Sequence, residues 1–119
     1  MRQVMKNYDV YLTPEAIKDP TDIYEYITEE SNLPEVAWAY IEKLRLKCHS
    51  LKTAPLIGQK RYDLCKNLRI IPIDNNAVAA FEANEEKQIV IILSIFYGGR
   101  EYETIMSSEI PYKDDELDK

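Results

Sequence analysis

The sequence predicts a two-layer α+β fold in which a helical hairpin packs on a β-sheet, and three observations lead to this expectation. A short segment with alternating apolar residues lies near the start, from Tyr8 to Leu12. Two amphipathic segments with helical spacing follow it, between about residues 19 and 51. Three β-rich segments separated by polar links then lie between residues 68 and 96. The expected order of elements is therefore β-α-α-β-β-β.

The first strand is predicted from a two-residue repeat. Tyr8, Val10 and Leu12 occupy alternate positions in a run of β-forming residues, so their side chains share one face of the strand. The sequence Thr13-Pro14 interrupts this pattern and ends the strand. We expect the face that carries the three apolar side chains to be buried.

The first helix is predicted to begin after a short turn that contains Ala16 and Ile17. Asp19 can accept a hydrogen bond from the free N–H groups of a helix end, and Pro20 fits the first helical position. Asp19 is therefore the expected N-cap. The helix then continues to about Ser31, with its glutamates on the outer face.

The second helix is predicted to begin at Pro34, where proline again fits the first position. Apolar residues follow at spacings of four and three, which is typical of one buried helix face. Because the link between the helices is only Asn32-Leu33, we expect an antiparallel hairpin. The apolar stripe consists of Ala37, Ile41, Leu44, Cys48 and Leu51.

Three strands are predicted in the second half of the chain, over residues 68–73, 77–83 and 88–96. The last of them is the most apolar, as expected of a strand inside a sheet. The predicted core draws on both helices and on the first and last strands. It comprises Leu12, Ile23, Ile27, Ile41, Leu44, Leu51, Ile91, Leu93 and Ile95.

Length and composition predict one compact domain with a short tail. The chain has 119 residues and is 45% hydrophobic, which suits a single core. Residues 107–119 are rich in acidic side chains and poor in residues that could be buried, so we expect a folded domain over 1–106 and a flexible acidic tail after it.

Charge is unevenly distributed along the chain. The net charge of -6 argues against direct binding of nucleic acid. Residues 13–35 nevertheless hold seven acids and one base, whereas residues 43–69 hold eight bases and one acid. Two explanations stay open: the two blocks neutralise each other across the hairpin, or the basic block forms a docking surface.

Several other classes of protein are not indicated. The start of the chain has no apolar leader, and no segment approaches the length of a membrane span, so a cytoplasmic protein is expected. Cys48 and Cys65 form no metal-ligand cluster and are expected to be free thiols. Because motifs for nucleotides, metals and catalytic triads are missing, we expect neither a cofactor nor a metal.

Four segments carry family-like patterns, and together they span residues 8 to about 102. Each pattern is weak alone, whereas their order and spacing are more specific. The four are Tyr8-x-Val10-x-Leu12-Thr13-x-x-Ala16, Asp22-Ile23-Tyr24-x-Tyr26-Ile27, Leu51-x-x-x-Pro55-x-x-Gly58-x-x-Arg61-x-x-Leu64-x-x-x-Leu68-Arg69 and Ile92-Leu93-x-Ile95-x-x-Gly98-x-Arg100-Glu101.

In this order the segments resemble the RelE/ParE superfamily of toxins from type II toxin-antitoxin systems, and its ParE-like branch in particular. The resemblance implies a twisted, mostly antiparallel sheet with the first strand beside the last. It also implies a cognate antitoxin that wraps the toxin. The two proteins would form a heterotetramer or a larger complex. ParE-like members look like inhibitors of DNA gyrase, whereas RelE-like members cut messenger RNA on the ribosome.

The resemblance also allows a test for the nuclease function, which needs cations at the phosphate and groups that transfer protons. Arg100 matches one of the arginines of RelE-like enzymes. Val78 and Met106 stand where a second arginine and a tyrosine are expected, and neither side chain can serve. Tyr97 and Tyr102, and Tyr112 if the tail folds back, are the remaining candidates for catalytic hydroxyls. A ParE-like toxin that binds a protein target is therefore favoured, with a ribosome-dependent endoribonuclease or a degenerate non-toxic module as alternatives.

Binding of the target or the antitoxin is expected at a basic patch that the three strands could bring to one side of the sheet. The alternative is ordinary surface charge, with Arg69 and Arg100 paired to Asp63 and Glu101. The patch would consist of Lys60, Arg61, Lys66, Arg69 and Arg100.

Overall fold

The computed structural model describes residues 7–98 and 102–107, and it has the predicted α+β architecture. The division into a domain over 1–106 and an acidic tail over 107–119 stays a prediction, since residues 108–119 lie outside the described part. The elements are β1 (Asp9–Leu12), α1 (Pro14–Ser31), α2 (Pro34–His49), a 3-10 turn (Ser50–Lys52), β2 (Gln59–Lys60), β3 (Leu68–Asp74), β4 (Ala77–Asn84), β5 (Ile89–Tyr97) and α3 (Tyr102–Ser107).

The strands form one mixed sheet in the order β1-β5-β4-β3-β2. β1 pairs with β5 in parallel, and the other neighbours are antiparallel, so the predicted position of the first strand beside the last is confirmed. The four predicted strands agree with β1, β3, β4 and β5 to within one residue at each end. β2, with only two residues, was not predicted because so short a strand carries no periodicity.

The predicted start of the first helix is wrong. α1 begins at Pro14, and Pro20 lies inside it. Thr13 is the N-cap: its hydroxyl oxygen accepts a hydrogen bond from the Ala16 N–H at 3.2 Å. The same hydroxyl donates to the carbonyl oxygen of Leu93 at 2.7 Å, which ties the start of α1 to β5.

Asp19, the predicted cap, has a different role at a β-bulge in β5. Ala80 pairs with Ser94 and Phe81 pairs with Ile92, which leaves Leu93 as the extra residue. One carboxylate oxygen of Asp19 accepts hydrogen bonds from the Ser94 hydroxyl at 2.7 Å and the Ile95 N–H at 2.8 Å. Together with Thr13, Asp19 therefore satisfies polar groups that the bulge exposes and fixes α1 on the sheet.

Apolar side chains cover both faces of the sheet. On the face toward α1 and α2, the core includes Ile23, Ile27, Leu44, Leu51 and Ile95, while Leu12 and Ile41 are only partly buried. Ile91 and Leu93 are buried as predicted, but on the opposite face, which we call the second face. This face also holds α3 and consists mainly of Leu68, Ile70, Ala80, Ile91, Leu93, Phe96 and Met106.

Gly58, just before β2, is expected to be intolerant of substitution. Its φ is +94°, and a Cβ there would lie 2.5 Å from Cγ2 of Ile71 and 2.6 Å from the carbonyl oxygen of Ile70. Gly58→Ala should therefore lower the free energy of unfolding by about 1–3 kcal/mol, measured by urea denaturation. Gly98→Ala is the matched control, because φ is +75° but nothing lies within 4 Å of the added carbon. Equal losses of unfolding free energy in the two variants would show that the close contact between residue 58 and β3 is unimportant for stability.

Candidate functional site

Arg69, a member of the predicted basic patch, is buried in β3 with 8% of its surface exposed. Its neighbours Leu68 and Ile70 face the second face, so alternation along the strand directs Arg69 toward the helix side. There its Nη1 donates a hydrogen bond to the carbonyl oxygen of Leu56 at 2.7 Å, which links β3 to the loop before β2. Arg69 is therefore an interior residue, and its burial does not suit it to a docking surface.

Arg61 has its hydrogen-bonding groups engaged within the protein. Nε and Nη2 bind the carboxylate of Asp63 at 3.1 and 2.9 Å, and Nη2 also binds Glu103 of α3 at 2.9 Å. Nη1 approaches the Tyr102 hydroxyl at 3.4 Å. The hydrogen bonds to Asp63 and Glu103 raise the pKa of Arg61, and the same bond to Arg61 lowers the pKa of Asp63. Arg61 thus connects the loop after β2 to α3.

The structure does not gather the described members of the predicted patch on one surface. Lys60 and Lys66 are exposed, and the Lys60 Nζ lies 5.8 Å from the centre of the Tyr62 ring. Asp63 pairs with Arg61. The alternative pairing of Asp63 with Arg69 is not found among the described residues. Arg100 lies outside the described residues. The geometry of the described residues therefore does not support a single basic patch that binds the target or the antitoxin. This patch stays a prediction.

The two positions where RelE-like enzymes are expected to carry an arginine and a tyrosine have apolar side chains here, and these side chains lie in apolar surroundings. Val78 and Met106 both pack in the cluster of the second face, and Met106 is only 3% exposed. Tyr102 packs on this same face, whereas Tyr97 packs on the helix side. The hydroxyls of Tyr97 and Tyr102 are thus separated by the sheet and could not act on one phosphate. Tyr112 lies outside the described residues.

Tyr97 belongs to an aromatic cluster that joins both helices to the sheet. Its ring meets those of Tyr26 and Tyr40 edge-on, with centres 5.8 and 5.2 Å apart. The Tyr40 hydroxyl donates to Asp74 at 3.0 Å. Burial raises the pKa of Tyr97, and burial followed by the bond to Asp74 raises the pKa of Tyr40. Both hydroxyls therefore remain protonated at neutral pH, so neither is suited to be a general base.

A cleft of about 540 Å³ lies between the helical hairpin and the β1–β5 side of the sheet, and we call it the β1 cleft. It exists because the two helices do not cover this part of the sheet completely, which leaves Val10, Leu12 and Ile41 only partly buried. Its lining is predominantly apolar, as is typical of binding clefts. The main apolar side chains are Val10, Leu12, Ala16, Ile41, Leu44 and Ile92.

Polar side chains at the β1 cleft are mainly basic. Arg45, His49 and Lys52 line it, together with a single carboxylate, Asp9. Arg45 is held by Glu42 of the same helix at 2.9 Å. Because the pair is exposed to solvent, it contributes little to stability and Arg45 can exchange partners. Cys48 also lines the cleft, but burial raises its pKa to about 11, so it is a neutral thiol and a poor nucleophile.

From the sequence, Leu44 and Cys48 are predicted core residues, and Arg45 and Lys52 are bases of the block over residues 43–69 with no site of their own. The sequence feature that could have pointed to the β1 cleft is the basic block over residues 43–69, which contains Arg45 and Lys52. In the part of the chain that the structure describes, no group of three or more His, Cys, Asp or Glu residues could hold a metal ion. Within the same residues, no helix is long and apolar enough to cross a membrane.

Comparison with known proteins assigns this architecture to a class. A helical hairpin packed on a five-stranded mixed sheet matches the fold of solved structures from ParDE and RelBE toxin-antitoxin systems. The sequence model of the ParE toxin of type II toxin-antitoxin systems, parDE, matches residues 10–102. Because this match covers well over half of the chain, the protein belongs to the ParE toxin family, as the resemblance had implied.

Two solved structures show the same fold. The chromosomal ParDE toxin-antitoxin system from P. aeruginosa has a TM-score of 0.65 and 18% identity, covering 76% of this chain and 96% of that chain. The RelBE2 toxin-antitoxin complex from Mycobacterium tuberculosis has a TM-score of 0.50 and 17% identity, covering 76% and 98%. Comparison with curated proteins gave no match. At these identities the two structures establish the fold and nothing finer.

Proposed function

We propose that this ParE-family toxin arrests growth in the cytoplasm by binding a protein target such as DNA gyrase, and that a cognate antitoxin neutralises it. The observation that carries the proposal is the match to the ParE family over residues 10–102. The match spans the hairpin and all of the sheet apart from the first residue of β1, so the part of the chain that would carry the activity is present.

The second face supports target binding over RNA cleavage. A nuclease must stabilise the charge that develops on the phosphate and must transfer protons. Val78 and Met106 supply neither function, and Arg61, a cation next to this face, is occupied by Asp63 and Glu103. A ribosome-dependent endoribonuclease stays an alternative through Arg100, which lies outside the described residues, and a non-toxic module is the other alternative.

The antitoxin is proposed as the principal partner. The two similar structures are described as toxin-antitoxin systems, and each contains a protein with the fold of this chain. A cleft of about 540 Å³ with an apolar lining gives the free protein a surface that a partner can cover. We further propose that the pair assembles into a heterotetramer or a larger complex.

Controlled expression tests this function. Expression of the chain alone should arrest growth and alter the supercoiling of a reporter plasmid, while ribosome-bound messages remain uncut. Co-expression with the product of the adjacent gene should restore growth. A folded chain that leaves growth unaffected would favour the non-toxic module. Reproducible codon-specific cuts that disappear in Arg100→Ala would instead favour the nuclease.

A further inference from the structure

The β1 cleft has the volume and the walls of a small-molecule site. Its volume of about 540 Å³ lies within the range of about 300–1,000 Å³ that is usual for ligand pockets. Leu44, Ile92 and Ile95 line it and are at the same time buried members of the core. Its remaining apolar residues lie mainly on β1, α1 and α2. Because regular elements form its walls, the cleft is present before any ligand binds.

Basic side chains follow one flank of this cleft. Arg45 and His49 lie on α2, and Lys52 ends the 3-10 turn that continues from α2. Their spacing of four and three residues places them on one side of this helical segment. Among the described residues, the only carboxylate of the lining is that of Asp9 on β1. A ligand in the cleft therefore meets cations along α2 and mostly apolar side chains elsewhere.

The two permanent cations of the cleft can approach an anion without disrupting the core. In residues 7–98 and 102–107, no ion pair engages Lys52. Arg45 donates two hydrogen bonds to one oxygen of Glu42, at 3.1 and 2.9 Å, and this exposed pair can exchange partners. The positive charges of Arg45 and Lys52 against the negative charge of Asp9 leave the lining with one net positive charge when His49 is neutral. This charge matches a ligand that carries a single negative charge.

A second cavity, of about 270 Å³, has the opposite charge. Asp19 and Asp22 line it, together with Tyr26 and Tyr97, and none of its described lining residues is basic. An anion is therefore repelled from this cavity and attracted to the β1 cleft. The two cavities of one molecule thus allow the effect of charge to be separated from the effect of apolar surface.

We propose that the β1 cleft binds a medium-chain carboxylate, which is a monoanion with one unbranched apolar chain. The carboxylate lies between Arg45 and Lys52, because a guanidinium presents two parallel N–H groups that match its two oxygens. The chain lies over Ile41 and Leu44 and against Val10. The ligand is a free small molecule, so this inference goes beyond the proposed function, which concerns protein partners.

The length of the chain tests whether the apolar part is buried. Octanoate and hexanoate are titrated into the purified full chain in a calorimeter, below the concentrations at which they form micelles. Octanoate should bind about tenfold more tightly, because two further methylene groups leave water and each contributes about 0.8 kcal/mol. Equal affinities would show that the chain stays in solvent and would overturn the proposal.

The head group tests the role of charge. Octan-1-ol and octylammonium carry the same chain as octanoate, with a neutral or a positive head at neutral pH. Octanoate should bind about tenfold more tightly than either compound, because only its head accepts charge-assisted hydrogen bonds from Arg45 and Lys52. Equal affinities of the three compounds would identify a surface without selectivity, suited to apolar protein side chains, and would overturn the proposal.

Replacing the two cations tests where the head group binds. Arg45→Gln with Lys52→Gln changes two exposed residues, so thermal unfolding should not change. The affinity for octanoate should fall about tenfold, while the affinity for octan-1-ol stays the same. Lys66→Gln is the matched control, since Lys66 is an exposed base that lines neither cavity. An equal loss in Lys66→Gln would mean that octanoate responds to surface charge in general, which contradicts the assignment.

Methyl signals locate the chain of the ligand in the wild-type protein. In ¹H–¹³C spectra, octanoate should shift the signals of Val10, Leu12 and Ile41, which line the β1 cleft. The signals of Ile23 in the second cavity and of Ile70 on the second face should not move. Shifts confined to Ile23 or Ile70 would place the ligand elsewhere and overturn the proposal. Normal growth on expression would count against the proposed function alone, because these measurements use the purified chain.

Discussion

Arg69→Glu is expected to destabilise the protein by about 3–5 kcal/mol, the range for a buried charge that is left without its partner. The wild-type Arg69 residue is 8% exposed, and its guanidinium donates to the Leu56 carbonyl at 2.7 Å. Glutamate would place a carboxylate, which has no donor, beside that carbonyl oxygen. Both the lost hydrogen bond and the repulsion between the two oxygens favour the unfolded state.

Two variants separate the possible causes of that loss. Arg69→Met removes the charge but keeps an apolar chain in the same space, so it should cost less, about 1–2 kcal/mol. Lys66→Glu reverses an exposed charge and should change stability by about 0.5 kcal/mol or less. Urea denaturation of all three gives the comparison. If Arg69→Glu were as stable as Lys66→Glu, the guanidinium would be exposed in solution and the burial described above would be incorrect.

This expectation changes how a loss of toxicity in Arg69→Glu should be interpreted. At the sequence level Arg69 is one of five basic residues in a candidate patch, and charge reversal looks like a test of docking. In the structure the same substitution acts on folding. Loss of activity in this variant therefore carries no information about an interface unless the purified protein is shown to be folded.

Local sequence patterns were sufficient for most of the fold. The alternation from Tyr8 to Leu12 and the apolar runs of β3, β4 and β5 predicted strand positions closely, because each strand has a buried face and therefore a two-residue period. The second helix was equally clear, since its buried stripe persists over its whole length. Family resemblance was needed to place β1 beside β5, which no local pattern reveals, and the parallel direction of that pair was not predicted.

The start of α1 shows where local patterns fail. Thr13-Pro14 and Asp19-Pro20 both have the sequence of an N-cap followed by a first helical proline. The choice between them depends on a contact distant in sequence. Asp19 binds Ser94 and Ile95 at the bulge of β5, so its carboxylate does not serve as a cap. The helix begins at Pro14, about 1.7 turns earlier than predicted.

The candidate site was predicted less well, because it depends on side-chain directions and not on residue types. A basic block is visible in the sequence, but strand alternation turns Arg69 inward and an ion pair holds Arg61 against α3. The β1 cleft arises from incomplete coverage of the sheet by the helices. Such a gap follows from helix packing geometry, which composition and periodicity do not determine.

Leu44→Ala is expected to lower the free energy of unfolding by about 2–3 kcal/mol, in the lower part of the range for buried leucines. Leu44 is 1% exposed and packs in the core between α2 and the sheet. It also borders the β1 cleft, so its truncation enlarges a space that is already open and does not create a sealed cavity. The lost transfer free energy of the side chain then dominates, and the additional cavity term is small.

Leu46→Ala is the matched control, because Leu46 lies on the same helix with 59% of its surface exposed and should change stability by about 0.5 kcal/mol or less. Thermal and urea unfolding of the two variants would be compared, and equal losses would mean that the register of α2 is incorrect. The proposed occupancy of the cleft gives a second readout. If an apolar side chain of the partner contacts Leu44, Leu44→Ala should weaken binding as well as folding, whereas Leu46→Ala should weaken neither. Normal partner affinity in a folded Leu44→Ala protein would place the partner away from this part of the cleft.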